Sequence, residues 1–449
     1  MSQDTIFALA TGVGLSAVAI IRVSGPQVST CLNALIGSVP AARHAVLKIL
    51  KGEDGPIDQA LVLYFPAPHS FTGEDLAEFQ VHGSQAVIAR LLKELSGFSG
   101  FRLAEAGEFS RRALLNGKLD LAHIEGLIDL ISAETELQRK QALHQMQGAL
   151  SAQIHAWRQS LLQLMALVES EIDFSDEGDV SSLQTDHLIQ LIGDLIRSFQ
   201  AVLAQSQQGI RLRDGLSVVV AGPPNAGKSS LVNYLARKDV AIVSPHAGTT
   251  RDLIEIPLQI DGFPICLIDT AGLRESSDPV EQEGIQRAMK RAREADLGLW
   301  LTAPDQTTSP PSGPDWILVR TKADLFVSAS GDDSEDQSSV QEILSADHPI
   351  LISVQTGQGI EILLDQLKFQ ASQRLGSGHA LVTRQRQQHA LSQTVEALFR
   401  AQDCLKQGAH VELAAEDLRM AARSLGSVIG VVGVEDILDR LFSDFCIGK

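Results

Sequence analysis

Gly222-Pro223-Pro224-Asn225-Ala226-Gly227-Lys228-Ser229-Ser230 is the stretch that decides how this chain is read. It fits G-x-x-x-x-G-K-[ST] and lies between an apolar run, Ser217 to Ala221, and a segment of helical spacing, "SSLVNYLA". Such a loop acts through its backbone: glycines let successive N–H groups wrap phosphate oxygens at a helix N-terminus, whose dipole also favours an anion. In that geometry Lys228 reaches the β- and γ-phosphate oxygens and the Ser229 hydroxyl ligates Mg²⁺. The pattern predicts a bound nucleoside triphosphate cradled by Asn225, Ala226, Gly227, Lys228, Ser229 and Ser230.

Outward from this loop, "LSVVVAG", "FPICLIDTAG", "LGLWLTA", "DWILVRTKAD" and "HPILISV" are each followed by a loop or a helical stretch. That alternation predicts a mostly parallel sheet covered by helices on both faces. Pro304 to Asp315 and Ser328 to Ser339, rich in Ser, Pro, Gly and Asp, read as surface loops. Before the module, Ile189, Ile192, Leu195, Ile196, Phe199, Val202 and Leu203 form one helical stripe; after it the helical period returns in Leu391, Val395, Leu398 and in Ile437, Leu438, Leu441, Phe442, Phe445. Residues 1 to about 117 mix β-rich runs with helices. The expected fold is multidomain α/β and α+β: an N-terminal α+β domain at 1–117, a discontinuous helical domain at 118–212 and 375–449, and an inserted P-loop α/β module at 213–374.

Length and composition agree with several soluble domains: 449 residues, 44% apolar and 20% charged. With 37 basic against 55 acidic residues the net charge is −18, which excludes a broad phosphate-neutralising surface; any nucleic acid must be met by a local patch or a partner. Cys31, Cys266, Cys404 and Cys446 show no metal spacing and read as reduced thiols. The uncharged run Thr5 to Ile21 follows an aspartate and contains glycines, so it predicts two strands around a Gly-rich loop; no membrane association is expected.

Thr321-Lys322-Ala323-Asp324 resembles the N-K-x-D motif that reads guanine: Asp324 accepts from N1–H and the 2-amino group, and the stem of Lys322 covers the ring. Thr321 in place of Asn weakens the expected bracing of the phosphate loop. Ser353-Val354 resembles the motif that offers a backbone N–H to guanine O6, so GTP is expected over ATP. Between these motifs lie Gly248-Thr249-Thr250-Arg251-Asp252 and Asp269-Thr270-Ala271-Gly272, in which Thr250 adds a second hydroxyl to Mg²⁺, Asp269 holds a metal-bound water and Gly272 donates to the γ-phosphate. Leu273 then stands where Ras-like enzymes place the water-orienting glutamine, so hydrolysis needs another device or the module is a slow switch. Asn225 offers one: its carboxamide oxygen can ligate a monovalent cation between the phosphates, although an asparagine there serves equally to brace the backbone.

"GPPNAGKSSLVN", "AGTTRD", "DTAGLR", "DTIFALAT", "HSFTGEDLAEFQVHG", "AGEFSRRALLNGKLDLAHIEGLIDLI" and the terminal "FCIGK" together resemble the tRNA modification GTPase MnmE (TrmE) family, essentially from residue 4 to 449. The resemblance implies a cytoplasmic homodimer with a tetrahydrofolate-binding N-terminal domain. It further implies a complex, heterotetrameric or larger, with an FAD-dependent MnmG (GidA)-type protein. Together they place an aminomethyl or carboxymethylaminomethyl group on C5 of the wobble uridine (U34) of certain tRNAs, with the one-carbon unit from 5,10-methylene- or 5-formyl-tetrahydrofolate.

By the same resemblance, K⁺ activates hydrolysis: Asn225 matches the family's potassium ligand, with the carbonyls of Ser244, His246 and Thr249 completing the shell. Ser244, Pro245, His246, Ala247, Gly248, Thr249 and Thr250 line the nucleotide, as do Asp269, Thr270, Ala271 and Gly272, and Glu281 matches the glutamate that orients water. The folate residues fall on Arg22, Glu78, Lys118 and Lys449, and Cys446 lies close to that site. The first loop departs from the family's G-R-G-G-V-G, reading Gly14-Leu15-Ser16-Ala17-Val18-Ala19. Cys446 also has the bare C-a-a-X spacing of a prenylated GTPase, but Gly448 and Lys449 fit that motif poorly and no polybasic stretch precedes it. A ribosome-assembly GTP switch, sharing only the central module, is the alternative function.

Overall fold

The computed structural model describes residues 4–12, 14–173, 181–237, 255–269, 293–306, 308–325, 349–407, 411–431 and 448. They group into two compact units, one of 1–128, 151–162 and 422–449, the other of 129–150 and 163–421.

In the first unit the Thr5 to Ile21 run forms the two expected strands, β1 (Thr5–Leu9) and β2 (Ser16–Ser24), which pair antiparallel. Helix α1 (Val28–Ile36) follows, then β3 (Val46–Gly52), β4 (Gly55–Phe65), β5 (Leu76–Gly83), α2 (Gln85–Ser96) and β6 (Phe101–Leu103). The sheet order is β3-β4-β5-β2-β1-β6, antiparallel except for the β1/β6 pair. Alternation along β2 and β5 turns Ile21, Val23, Phe79 and Val81 into a core with Val28, Leu32 and Leu35 of α1 and Leu91 and Leu95 of α2. The strands' other face carries Ile6 and Ala8, covered by Phe109 of α3 (Glu108–Leu115). Helix α4 (Leu121–Ser132) follows, its first N–H donating to Ile429 O at 3.3 Å.

The second unit holds α5 (Glu136–Met146), the two ends of α6 (Ala149–Asp173), α7 (Ser181–Leu203) and α8 (Ser206–Asp214), then the α/β module. The module runs β7 (Leu216–Ala221), α9 (Lys228–Arg237), β8 (Glu255–Ile260), β9 (Phe263–Asp269), β10 (Leu297–Thr302), β11 (Asp315–Arg320), β12 (Ile350–Leu351) and α10 (Ile360–Leu375). The order is β12-β11-β10-β7-β9-β8, parallel except for the β8/β9 hairpin, as alternating strand and helix demand. Val218, Val220, Leu299, Leu301, Val319, Leu231, Leu235, Leu363 and Leu367 share one core between sheet, α9 and α10.

Two helices follow, α11 (Gln385–Lys406) and α12 (Val411–Val428). The apolar stripe of α7 packs on α11, where Gln402 Nε2 donates to Ile189 O at 2.9 Å. The helical domain is thus discontinuous in sequence, with the module inserted between α8 and α11. Where the chain enters and leaves the module, Asp129 Oδ1 accepts from Arg213 Nε at 3.0 Å and from Arg384 Nη2 at 2.7 Å.

Candidate nucleotide site and a second charged face

All parallel strands of the module end on the same edge, where the order reverses around β7, and there an open α/β sheet receives its ligand. Register brings the pieces together: Val220 of β7 pairs with Asp269 of β9, and Ala221 pairs with Trp300 of β10. The phosphate loop leaves β7 through Gly222, whose φ of 149° and whose missing Cβ, which would lie 2.2 Å from Leu301 O, admit only glycine.

Asn225 holds the left-handed conformation at φ 61° and is exposed, a geometry asparagine tolerates better than most residues. Lys228 Nζ donates to the carbonyls of Gly222 and Pro223 at 2.8 and 2.9 Å, folded over the loop it would leave for phosphate oxygens. Ser229 and Ser230 open α9 with exposed side chains, and Asp269 is buried at the end of β9, in register with Val220 just before the loop. A hydroxyl and a carboxylate are oxygen donors that fit a hard divalent cation bridging to phosphates.

At the base-reading end Asp324 lies in a 3-10 turn, Ala323–Leu325, with Lys322 at φ 57°. Ser353 Oγ donates to Asp324 Oδ1 at 2.6 Å, so the serine fixes the direction of the carboxylate. The Ser353 N–H is spent on Gln358 O at 2.9 Å, which leaves Val354 to supply the N–H that the motif reading asks of the pair. Thr321 keeps a bracing contact despite replacing Asn. Its buried hydroxyl donates to Ala226 O at 2.9 Å and lies 3.3 Å from Thr302 O, tying the base-reading loop directly to the phosphate loop.

The sequence missed Gln306. Its Nε2 donates to Pro224 O at 2.9 Å, from a stretch read only as surface loop. Ser244, Pro245, His246, Ala247, Gly248, Thr249, Thr250, Thr270, Ala271, Gly272, Leu273, Glu281, Cys446 and Lys449 lie outside the described residues.

A second charged face sits in the first unit. Arg22 on β2 and Glu78 on β5 are direct cross-strand partners, with Arg22 Nη2 2.8 Å from Glu78 Oε1, and the guanidinium lies over the rings of Phe71 and Phe109 at 5.4 and 5.7 Å. The loop carrying Phe71 is fastened on both sides: Ser24 Oγ donates to Glu74 Oε2 at 2.9 Å, Arg112 Nη1 meets Glu74 Oε2 at 3.1 Å, and Asn116 Nδ2 donates to Thr72 O at 2.7 Å. Arg112 also meets Glu108, where burial pushes the carboxyl up but Arg102 and Arg112 hold it below the usual range. Lys118 runs along Gly73, where a Cβ would stand 3.1 Å from the lysine Cγ. Arg22, Glu78 and Lys118 thus frame one loop. Gly448 is buried in the same unit at φ 107°, where a Cβ would lie 2.1 Å from Leu9 O; only glycine permits the backbone to pass the end of β1 there.

A phosphate loop between strand and helix, a buried acidic residue at the adjacent strand end and a serine-held aspartate at the base-reading loop define the class, a P-loop GTPase. The MnmE helical domain family matches residues 121–446 and the family described as GTP-binding protein TrmE N-terminus matches 5–118. The chain is 50% identical over 452 residues to the tRNA modification GTPase MnmE of Rhodopseudomonas palustris, covering 100% of this chain and 99% of that protein. It is likewise 50% identical over 451 residues to that of Beijerinckia indica, covering 99% of this chain and 96% of that one. Among solved structures the G domain of the T. maritima FeoB iron transporter shares 23% identity over 35% of this chain and 98% of that one, with a TM-score of 0.23, and adds nothing to the argument. The chain belongs to the tRNA modification GTPase MnmE family, and it is a GTP hydrolase acting in tRNA modification. Among the described residues no helix is long and apolar enough to cross a membrane.

Proposed function

We propose that this GTPase is potassium-activated. With an FAD-carrying MnmG-type partner, it installs an aminomethyl or carboxymethylaminomethyl group on C5 of the wobble uridine, from a tetrahydrofolate one-carbon unit, in the cytoplasm. In this reading the domains are 1–117, 118–212 with 375–449, and 213–374; the first dimerises and holds folate, and the last hydrolyses GTP. The observation that carries it is Gly448 against Leu9: the penultimate residue of the Cys446-Ile447-Gly448-Lys449 tail lies beside the end of β1, whose Ala8 pairs with Arg22. That placement supports assigning the tail to the same site as Arg22, Glu78 and Lys118. Those charges suit a ligand with carboxylates at one end and a donor edge at the other.

In the G module Lys228 exchanges its two carbonyl acceptors for phosphate oxygens, and Asp324 accepts from guanine under the stem of Lys322. Ser229 and Thr250 would hold Mg²⁺, which supplies charge neutralisation at the transferring phosphate. Asn225, with Ser244, His246 and Thr249, would hold K⁺. Glu281 orients water in place of the glutamine that Leu273 replaces. Deleting the gene should strip the wobble modification from bulk tRNA, read by nucleoside mass spectrometry; unchanged tRNA overturns the chemistry. GTP hydrolysis should run markedly faster in KCl than in NaCl, and equal rates remove the potassium claim.

A further inference from the structure

A cradle that offers N–H groups to phosphate must first dispose of its own carbonyls, because each carbonyl turned inward repels the anion. In this loop the outward carbonyls have named donors. Pro223 O takes the Ala226 N–H at 3.3 Å, Ala226 O takes the Thr321 hydroxyl and Gly227 O takes the Leu231 N–H at 3.0 Å, while the bonds of Lys228 Nζ to Gly222 O and Pro223 O are those given up to phosphate. Pro224 O takes Gln306 Nε2 at 2.9 Å, and that donor belongs to none of the motifs.

The amide of Gln306 cannot be turned over. Ala303 N–H donates to Oε1 at 3.1 Å, which needs an acceptor, while Pro224 O needs a donor. The backbone of Gln306 closes the same turn by donating to Ala303 O at 3.0 Å. The stretch beyond is pinned by two tryptophans on neighbouring strands. Trp300 Nε1 donates to Thr308 O and Trp316 Nε1 to Pro311 O, both at 2.9 Å, and the two rings meet edge to face at 5.5 Å. Gly298 makes room for this arrangement: a Cβ there would fall 2.3 Å from the Trp316 ring.

Because a trans peptide is planar, its C=O and N–H point in opposite directions. Fixing the Pro224 carbonyl toward Gln306 therefore fixes the Asn225 N–H away from it, and Asn225 already sits at the left-handed φ of 61° that such a turn of the chain requires. We propose that Gln306 is a positioning residue for GTP binding, holding the Pro224–Asn225 peptide so that the Asn225 N–H faces the nucleotide phosphates. A contact of this kind serves bound GTP and its transition state alike, so its loss raises KM and speeds nucleotide release while kcat changes little.

The test uses the full chain with Gln306→Glu, Gln306→Ala and Trp300→Phe, read by release of a fluorescent GDP analogue, by KM and kcat for GTP, and by thermal unfolding without nucleotide. Gln306→Glu keeps the acceptor for Ala303 N–H but sets a carboxylate against Pro224 O. It should release nucleotide roughly three- to tenfold faster, the size of one hydrogen bond. Gln306→Ala should follow in the same direction, and Trp300→Phe should show a smaller effect by loosening the stretch behind it. Release within twofold of the parent in Gln306→Glu overturns the proposal, as does a fall in unfolding temperature with KM unchanged. Faster release in Gln306→Ala alone would also overturn it, since Ala303 rather than Pro224 would then be the contact that matters.

Discussion

The sheet β12-β11-β10-β7-β9-β8 presents its candidate site beyond the ends of its strands, whereas β3-β4-β5-β2-β1-β6 presents Arg22 and Glu78 from the middle of two of them. Parallel strands with crossover helices gather every βα loop at one edge, so chemistry there rests on backbone groups in short contiguous loops. Antiparallel pairing instead sets residues 56 apart in sequence directly opposite each other, and chemistry there rests on side chains. In the first site a carbonyl must be turned away; in the second a charge must be matched.

The largest effect that separates the two is expected at Lys228. Lys228→Ala should weaken GTP binding on the order of a hundredfold, the equivalent of a charged hydrogen bond worth about 3 kcal/mol, in a titration with a fluorescent GTP analogue. Unfolding of the nucleotide-free protein should scarcely change, because Gly222 O and Pro223 O lie where water can replace the ammonium. Affinity within tenfold of the parent would break the loop half of the comparison.

Arg22→Ala should do the reverse. It leaves Glu78 without its cation and strips Phe71 and Phe109 of the guanidinium over their rings, in a pair whose side chains are only 20% and 17% exposed, and should cost about 1–2 kcal/mol in urea unfolding after allowance for screening. The double variant with Glu78→Ala should recover part of that loss. The proposed folate binding should be lost in both and GTP hydrolysis kept. A loss of hydrolysis matching the loss of stability would show that the two sites are not separable in this way.

The same contrast explains what was legible in the sequence. The phosphate loop, Asp269 and the Thr321 to Asp324 loop are contiguous strings flanked by strand and helix patterns, so their places at the strand ends could be read together. The return of the helical domain after the module was legible from the 3.6-residue period of Leu391, Val395 and Leu398, while the later stripe at 437–445 lies outside the described residues. Arg22 and Glu78 required register, which nothing in either strand states alone, and only a family resemblance pointed to them. Thr321 shows which part of the bracing a hydroxyl retains: one donor, which Ala226 O accepts. Gln306 carried no signal beyond a Ser- and Pro-rich stretch between two strands bearing tryptophans; the bond it makes depends on how that stretch folds back.

A pair close in sequence sharpens the point with a smaller effect. Asp120 caps α4 by accepting the His123 N–H at 2.9 Å, and the same Oδ1 meets His123 Nδ1 at 2.8 Å. The bond to Asp120 raises the histidine above its ordinary 6.5 against partial burial. Burial pushes Asp120 up, but His123 and Ser151 hold it below its ordinary 3.8. A raised histidine contributes stability that is complete below 6.5 and is lost as pH climbs through the folded value. A lowered aspartate contributes stability that is complete above 3.8 and is lost as pH falls through its folded value. The ion pair is therefore whole between those two values. His123→Gln should cost about 0.5–1 kcal/mol more at pH 5.5 than at pH 8.5 in thermal unfolding, since the neutral imidazole keeps the hydrogen bond but loses the charge. Asp120→Asn should flatten the parent's dependence over the same range. A larger cost at pH 8.5 would mean that the neutral ring, and not the ion pair, is what α4 relies on; the pair would then resemble the phosphate loop, held by dipoles, more than the matched charges of Arg22 and Glu78.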